Sequence, residues 1–167
     1  MLLDSDDEWY ANKIEYQMAY LNHHPYCFIV QSLDQWVRNG KEITQATHLQ
    51  KKSGWIFKES LERCMISPSS VCFHRLLWDQ YGSFNEDYPA CEDYDLWLKI
   101  TRHFPVGLDP NLTLTRYAGH SDQLSSTVPI LDQFRVESLF KVYDSEQDLV
   151  IQAQIKTVLL KKLSILS

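Results

Sequence analysis

The run Asp4-Ser5-Asp6-Asp7-Glu8-Trp9 sets four acids within five positions, directly behind the apolar Met1-Leu2-Leu3. Carboxylates this close repel and raise one another's pKa, so the fold around them has to supply a cation, a helix N-terminus or water. Capping of a helix that begins near Trp9 accounts for Asp7 and Glu8. It leaves Asp4 and Asp6 unexplained. Spaced by two at the end of a short apolar strand at Leu2-Leu3, both can point oxygens at one hard divalent cation that keeps positions open for phosphate or water. A strand of two or three residues cannot open a stable sheet unless later strands flank it on both sides.

The rest of the chain has the material for such a sheet. With 167 residues, 44% of them hydrophobic and 13% aromatic, it can bury one packed core, which makes one domain the expectation. The net charge is -6, and the sixteen Lys and Arg residues form no stripe, which argues against a nucleic-acid backbone as partner. Cys27, Cys64, Cys72 and Cys91 lie far apart with no C-x-x-C pair, a pattern of neither a zinc site nor a dense disulfide framework. A reducing cytosol is the simplest compartment. Apolar runs such as Cys27-Phe28-Ile29-Val30 are far short of a membrane span, and no signal peptide opens the chain. The expectation is a soluble cytoplasmic protein with at most peripheral contact at the inner face of a membrane.

Along the chain, Tyr10, Ile14, Met18 and Leu21 recur at helical spacing and predict an amphipathic helix from Trp9 to Asn22. Residues Tyr26 to Val37 read as a strand, and Asn39-Gly40 followed by Lys41-Glu42-Ile43-Thr44 signals a tight hairpin turn, together an exposed antiparallel ribbon. A short helix is predicted over Trp55 to Cys64, a buried strand at Val71-Cys72-Phe73, and helical turns from Arg75 to Tyr81 stopped by Gly82. Leu96, Trp97, Ile100 and Phe104 mark a further helix whose first turn carries Glu92, Asp93 and Asp95. Val106-Gly107-Leu108 and Leu112 to Tyr117 read as two strands separated by a turn at Asp109-Pro110-Asn111. Two helices close the chain, Ile130 to Tyr143 and Gln147 to Leu166, the second opened by a capping-box-like Ser145-x-x-Asp148.

Glu92, Asp93 and Asp95 are explained as a group by a capped helix start, where the dipole favours charged carboxylates. A functional reading joins them to the first cluster: with a cation on a diphosphate at Asp4 and Asp6, a separate carboxylate can take the proton of an attacking hydroxyl. Four blocks in order carry a resemblance. Leu3-Asp4-Ser5-Asp6-Asp7-Glu8-Trp9, Ile66-Ser67-Pro68-Ser69-Ser70-Val71, Gly82-Ser83-Phe84-Asn85-Glu86-Asp87 and Cys91-Glu92-Asp93-Tyr94-Asp95-Leu96-Trp97-Leu98 together resemble a bacterial family 2 glycosyltransferase of the GT-A fold. The match runs from Leu2 to about Ser125, and the last two helices carry no motif.

The resemblance implies that Asp4 and Asp6 form the D-x-D element that contacts the ribose and ligates a Mn²⁺ or Mg²⁺ on the sugar-nucleotide diphosphate, with Asp6 the first metal candidate. It implies Asp93 as catalytic base, with Glu92 and Asp95 as acceptor-side or structural support. His120 falls where related enzymes return a histidine or basic residue to metal and diphosphate, and Arg116, in the same segment, is implied on the diphosphate side. Such enzymes invert the anomeric centre in one displacement, taking a nucleoside-diphosphate sugar as donor and a glycan or lipid-linked hydroxyl as acceptor. The fold implied is α/β, a partial GT-A domain over residues 1–126 with a helical extension over 127–167 packed on it. Family members place two or three β-α units of about 30 residues before the D-x-D strand. Their absence implies a fragment, or a missing N-terminal half supplied by another chain, and unpaired strand edges that favour self-association.

Two other classes compete. Asp4, Asp6, Glu8, Asn12 and Glu15 mimic ligand positions of an EF-hand loop, but Trp9 stands where that loop needs glycine, and no helix precedes it. A non-catalytic remnant that keeps the acceptor half as an interaction domain would retain the same acids.

Overall fold

The computed structural model describes residues 1–119 and 131–166. Its elements, in chain order, are β1 (Glu8–Trp9), α1 (Lys13–His23), β2 (Ile29–Arg38), β3 (Lys41–Ile43), α2 (Phe57–Glu62), β4 (Val71–Phe73), α3 (Arg75–Tyr81), α4 (Glu92–Thr101), β5 (Gly107–Ala118), α5 (Leu131–Ser145) and α6 (Leu149–Leu166). The five strands form one mixed sheet in the order β1-β5-β2-β3, with β4 also on β2. β2 and β5 run parallel from Val30↔Gly107 to Arg38↔Ala118, while β1 on β5, and β3 and β4 on β2, are antiparallel. β5 takes one edge of β2 along nearly its whole length, so β4 and β3 divide the other edge between its first and last residues.

Several sequence expectations are corrected. Leu2-Leu3 is not a strand; the first strand is Glu8–Trp9, behind the acidic run, and α1 starts only at Lys13. Asp7 and Glu8 therefore do not cap α1, whose N-cap is Asn12. The buried face of α1 is Lys13 and Gln17, four residues apart, whereas Ile14 and Met18 are 56% and 44% exposed. A polar network explains that rotation of the helix. Lys13 Nζ donates to Gln17 Oε1 at 2.8 Å and lies 5.2 Å from the Trp9 ring centre, and Gln17 Nε2 donates to Ser70 O at 2.8 Å. Carbonyls beneath the sheet need partners, and Gln17 supplies one where an apolar residue would not.

The hairpin at Asn39-Gly40 forms with both residues at positive φ, 52° and 72°, which a type I′ turn demands. The strand before it is not an exposed ribbon: Ile29, Val30, Gln31 and Ser32 are fully buried in the middle of the sheet. The two expected strands around Asp109-Pro110-Asn111 are one strand, β5, because Pro110 and Asn111 are absorbed as a bulge between the pairs Ser32↔Asp109 and Leu33↔Leu112. Asp109 Oδ1 closes that bulge by accepting from Asn111 N and Nδ2 at 3.0 and 2.7 Å, and a bulge is where a strand tolerates proline.

Two apolar clusters share one helix. Ile29, Val71, Leu77 and Val106 pack on Leu96, Trp97 and Ile100 of α4, while Phe57, Leu61, Leu139, Val142, Ile155 and Leu159 pack on its Tyr94 and Leu98. α5 and α6 are thus part of the packing around α4. Arg102 beyond the helix end pairs with Glu146, and Asp148 rather than Ser145 caps α6, accepting from Val150 N at 2.8 Å. Among the described residues no helix is long and apolar enough to cross a membrane.

If the last two helices are integral to the core, Leu139→Ala costs about 2–4 kcal/mol of unfolding free energy, and Leu149→Ala, on the exposed start of α6, less than about 0.5. Urea unfolding of the two variants checks this; equal midpoints would show that α5 adds no buried packing.

Candidate active site

A cavity of about 770 Å³ opens over the C-terminal half of the sheet and is lined by both acidic clusters. Its floor comes from strand alternation: Asp34 and Trp36, two apart on β2, share a face, and Arg116, paired with Trp36 in the β2–β5 register, lays its guanidinium 4.7 Å from the Trp36 ring centre. One wall is the turn Asp4-Ser5-Asp6-Asp7, closed by Asp7 N donating to Asp4 O at 3.2 Å. Ser69 holds this turn in place. Its Oγ accepts from Asp4 N at 3.0 Å and its carbonyl accepts from Trp9 Nε1 at 2.8 Å, so the Ser-Pro-Ser-Ser block anchors the acidic run from the far side of the sequence. The opposite wall is Cys91, Glu92 and Asp93 at the start of α4, with Leu131 and Arg135 of α5.

The counter-charge the acidic run requires is partly present. Asp7 accepts from Tyr117 N at 3.2 Å and faces Arg116 Nε at 3.4 Å, a charge pair that does not complete a hydrogen bond. Among the described residues Asp4 has no such cation in contact. Burial first, then the Asp7 and Asp6 charges, hold its carboxyl above the usual range, against the Ser69 contact and Arg116. Asp6 is exposed at the turn.

Asp93 stands at the first turn of α4 behind Cys91, which adopts a left-handed φ of 66° unusual for a non-glycine residue. Its Oδ1 accepts from Tyr94 N at 2.6 Å and its Oδ2 from the Cys64 thiol at 3.2 Å. Burial pushes the Asp93 carboxyl up to about 6, with Glu92 and Asp4 adding to the rise and the Cys64 and Tyr94 hydrogen bonds opposing it. The Asp4 charge across the cavity adds the smallest part of this rise.

The structure thus brings together Asp4, Asp6, Glu92, Asp93 and Arg116 on one cavity. Asp95 is not among them: it is buried on another face of α4 and paired with Lys99 at 2.6 Å, the i,i+4 geometry of a structural helix pair. His120 lies outside the described residues. Three further lining residues carry no sequence signal. Lys51 Nζ sits 3.0 Å from Asp34 Oδ2 and donates to Ser32 O at 2.7 Å, with burial pulling the ammonium down to about 8 against the Asp34 charge. Cys64 and Arg135 reach the cavity from the segment after α2 and from α5. Lys51 and Asp34 are 17 residues apart in the chain and Cys64 and Asp93 are 29 apart, beyond the reach of any local spacing rule.

No protein-family model matches the chain. Over 118 residues, 70% of its length, it is 30% identical to proteins named uncharacterized glycosyltransferase from Rickettsia felis and Rickettsia conorii, and 28% identical to one from Rickettsia bellii. The chain spans 19% of the length of the first two relatives and 17% of the third. Among solved structures it is similar to S. aureus TarS 1–349 in complex with UDP-GlcNAc, with a TM-score of 0.66 and 17% identity, covering 96% of this chain and 46% of that one. The structure of TarS 1–349 without that ligand in its description matches at a TM-score of 0.59. The chain is related in sequence to glycosyltransferases and shares its α/β fold with TarS.

Because the folded-state pKa of Asp93 is about 6 against an ordinary 3.8, its contribution to stability is complete below about 3.8 and is lost as pH rises through about 6. Asp93→Asn removes that loss. It raises the unfolding free energy by roughly 1–2 kcal/mol at pH 7.5 and by far less at pH 4. Denaturant titrations at the two pH values check this, and an equal gain at both would place the effect elsewhere than in ionisation.

Proposed function

We propose that this chain carries the metal corner, the acceptor side and the base of an inverting family 2, GT-A glycosyltransferase. The observation that carries the reading is the single cavity joining Asp4 and Asp6 to Asp93. A nucleoside-diphosphate sugar as donor is supported by the fold shared with a protein solved with UDP-GlcNAc. The acceptor in this reading is a hydroxyl of a glycan or a lipid-linked glycan.

The acidic turn fits a divalent cation on its own chemistry. Asp4 is half-buried beside the Asp7 and Asp6 charges with no cation in contact among the described residues, and the oxygen donors of Asp4 and Asp6 suit Mg²⁺ or Mn²⁺, hard ions commonly bound by one or two carboxylates together with substrate phosphates and water. Among the described residues no three His, Cys, Asp or Glu side chains converge as a ligand set; in this reading the donor diphosphate would complete the shell, with His120 as a further proposed ligand. Such an ion supplies charge neutralisation to the departing diphosphate. Arg116, braced between Trp36 and Asp7, adds a fixed cation on the same side.

Asp93 performs the proton step. The acceptor O–H bond breaks with its proton passing to the Asp93 carboxylate; the acceptor oxygen bonds to the anomeric carbon; and the bond from that carbon to the diphosphate breaks, its electron pair leaving with the phosphate. A carboxylate titrating near 6 is a stronger base than an ordinary one and is still ionised at neutral pH. Glu92 beside it orients the acceptor.

With UDP-GlcNAc as the probe donor, Mn²⁺-dependent binding survives in Asp93→Asn, while sugar transfer falls by about 10²–10⁴-fold. Asp6→Ala abolishes the Mn²⁺ dependence of binding, read by calorimetry with and without the ion. Full transfer by purified Asp93→Asn would remove Asp93 from the base role. In the wild type, kcat/KM rises with pH and levels off above an apparent pKa near 6; a pH profile flat between 5 and 8 would contradict the assignment.

A further inference from the structure

Asp93 is held by two hydrogen bonds, and the second donor is an unexpected one. Cys64 lies between α2 and the Ser-Pro-Ser-Ser block, its Sγ 3.2 Å from Asp93 Oδ2 and 3.1 Å from Ile66 O. A thiol has one proton for these two acceptors. We propose that Cys64 is a positioning residue for Asp93, its thiol fixing the carboxylate toward the cavity and switching its one hydrogen between Asp93 and the Ile66 carbonyl as Asp93 changes protonation state. This rests on the reading of Asp93 as base.

The geometry gives each atom a task. Tyr94 N holds Oδ1 at 2.6 Å, so Cys64 is the contact that stops rotation of the carboxylate about that anchor. While Asp93 is charged, it is the better acceptor of the thiol proton, since hydrogen bonds to ionised groups are the stronger ones. When Asp93 takes the acceptor's proton, the thiol turns to Ile66 O, and neither the thiol nor the carbonyl is left unpaired. Sulfur is a weak donor, so this contact steadies the charged form without cancelling the basicity that burial confers. The thiol stays protonated throughout: burial, then the Asp93 charge, hold it well above the ordinary thiol range. The other groups facing this pair are Glu92 and Cys91 at the head of α4, Asp4 across the cavity, and Arg135 from α5, which favours the charged forms of Cys64 and Cys91. A thiol that merely filled space would do none of this.

The test is the titration of the Asp93 carboxyl carbon by NMR in protein labelled with ¹³C-aspartate, assigned by its disappearance in Asp93→Asn. In Cys64→Ala the Asp93 midpoint rises by roughly half to one pH unit, the worth of a lost hydrogen bond to the anion. In Cys64→Ser, which keeps a one-proton donor, it stays at or below the wild-type midpoint. Transfer by Cys64→Ala then falls by about two- to six-fold at pH 6 and recovers toward wild type at pH 8.5. Thermal melts establish that each variant is folded, and the serine variant carries the test should the alanine variant not be. An Asp93 midpoint that is unchanged or lowered in Cys64→Ala, or raised in Cys64→Ser, overturns the proposal. An active Asp93→Asn would instead sink the transfer reading while leaving these titrations to be judged separately.

Discussion

The structure depends on α4 being buried on both sides. Leu96, Trp97 and Ile100 lock it to the sheet cluster, and Tyr94 and Leu98 lock it to α2, α5 and α6. A helix apolar around most of its circumference can exist only inside such a double packing. Its first turn consequently cannot relax toward water, and Asp93 is carried into the cavity wall with its carboxyl desolvated. The raised pKa of Asp93 is therefore a product of core packing some distance along the same helix. Removing the packing of α5 against α4 would loosen Asp93 as well as the core.

The other half of the site obeys a polar constraint. Ser69 and Ser70 are buried and offer carbonyls that must be paired, and the partners are Trp9 Nε1 and Gln17 Nε2. The Ser69 hydroxyl accepts from Asp4 N in turn. These contacts hold the acidic turn over the sheet although the segment that carries it contributes only the two-residue strand β1. β5 completes the arrangement, pairing with β1 on one side and β2 on the other, and presenting Arg116 to both Asp7 and Trp36.

Local chemistry was the legible part of the sequence. The Asn39-Gly40 turn, the helix behind Glu92 and the short strand at Val71 to Phe73 all appear where composition and spacing put them. The two acidic runs were legible as unusual charge, and their ordered blocks as a resemblance, but their meeting in one cavity is a tertiary fact. The failures have physical reasons. Ile14 and Met18 mimic a core stripe, yet the buried face of α1 is chosen by carbonyls under the sheet that need Gln17, to which Lys13 donates in turn. Asp109-Pro110-Asn111 has turn chemistry, and that chemistry served a bulge. Asp95 has the same helix position as a site acid but points at Lys99. Cys64, Lys51 and Arg135 were silent because their partners are distant in the chain.

The central claim is that the acidic turn and Asp93 face each other across one cavity in a state that binds a divalent ion. Paramagnetic broadening of aspartate carboxyl resonances by substoichiometric Mn²⁺ tests it most directly. Broadening is expected for Asp4 and Asp6 first and Asp93 next, with Asp144, at the other end of α5 from the cavity-lining Leu131, least affected, and the Asp93 effect is expected to be lost in Asp6→Ala. Bound Mn²⁺ that broadens the acidic turn while leaving Asp93 as sharp as Asp144 would contradict it.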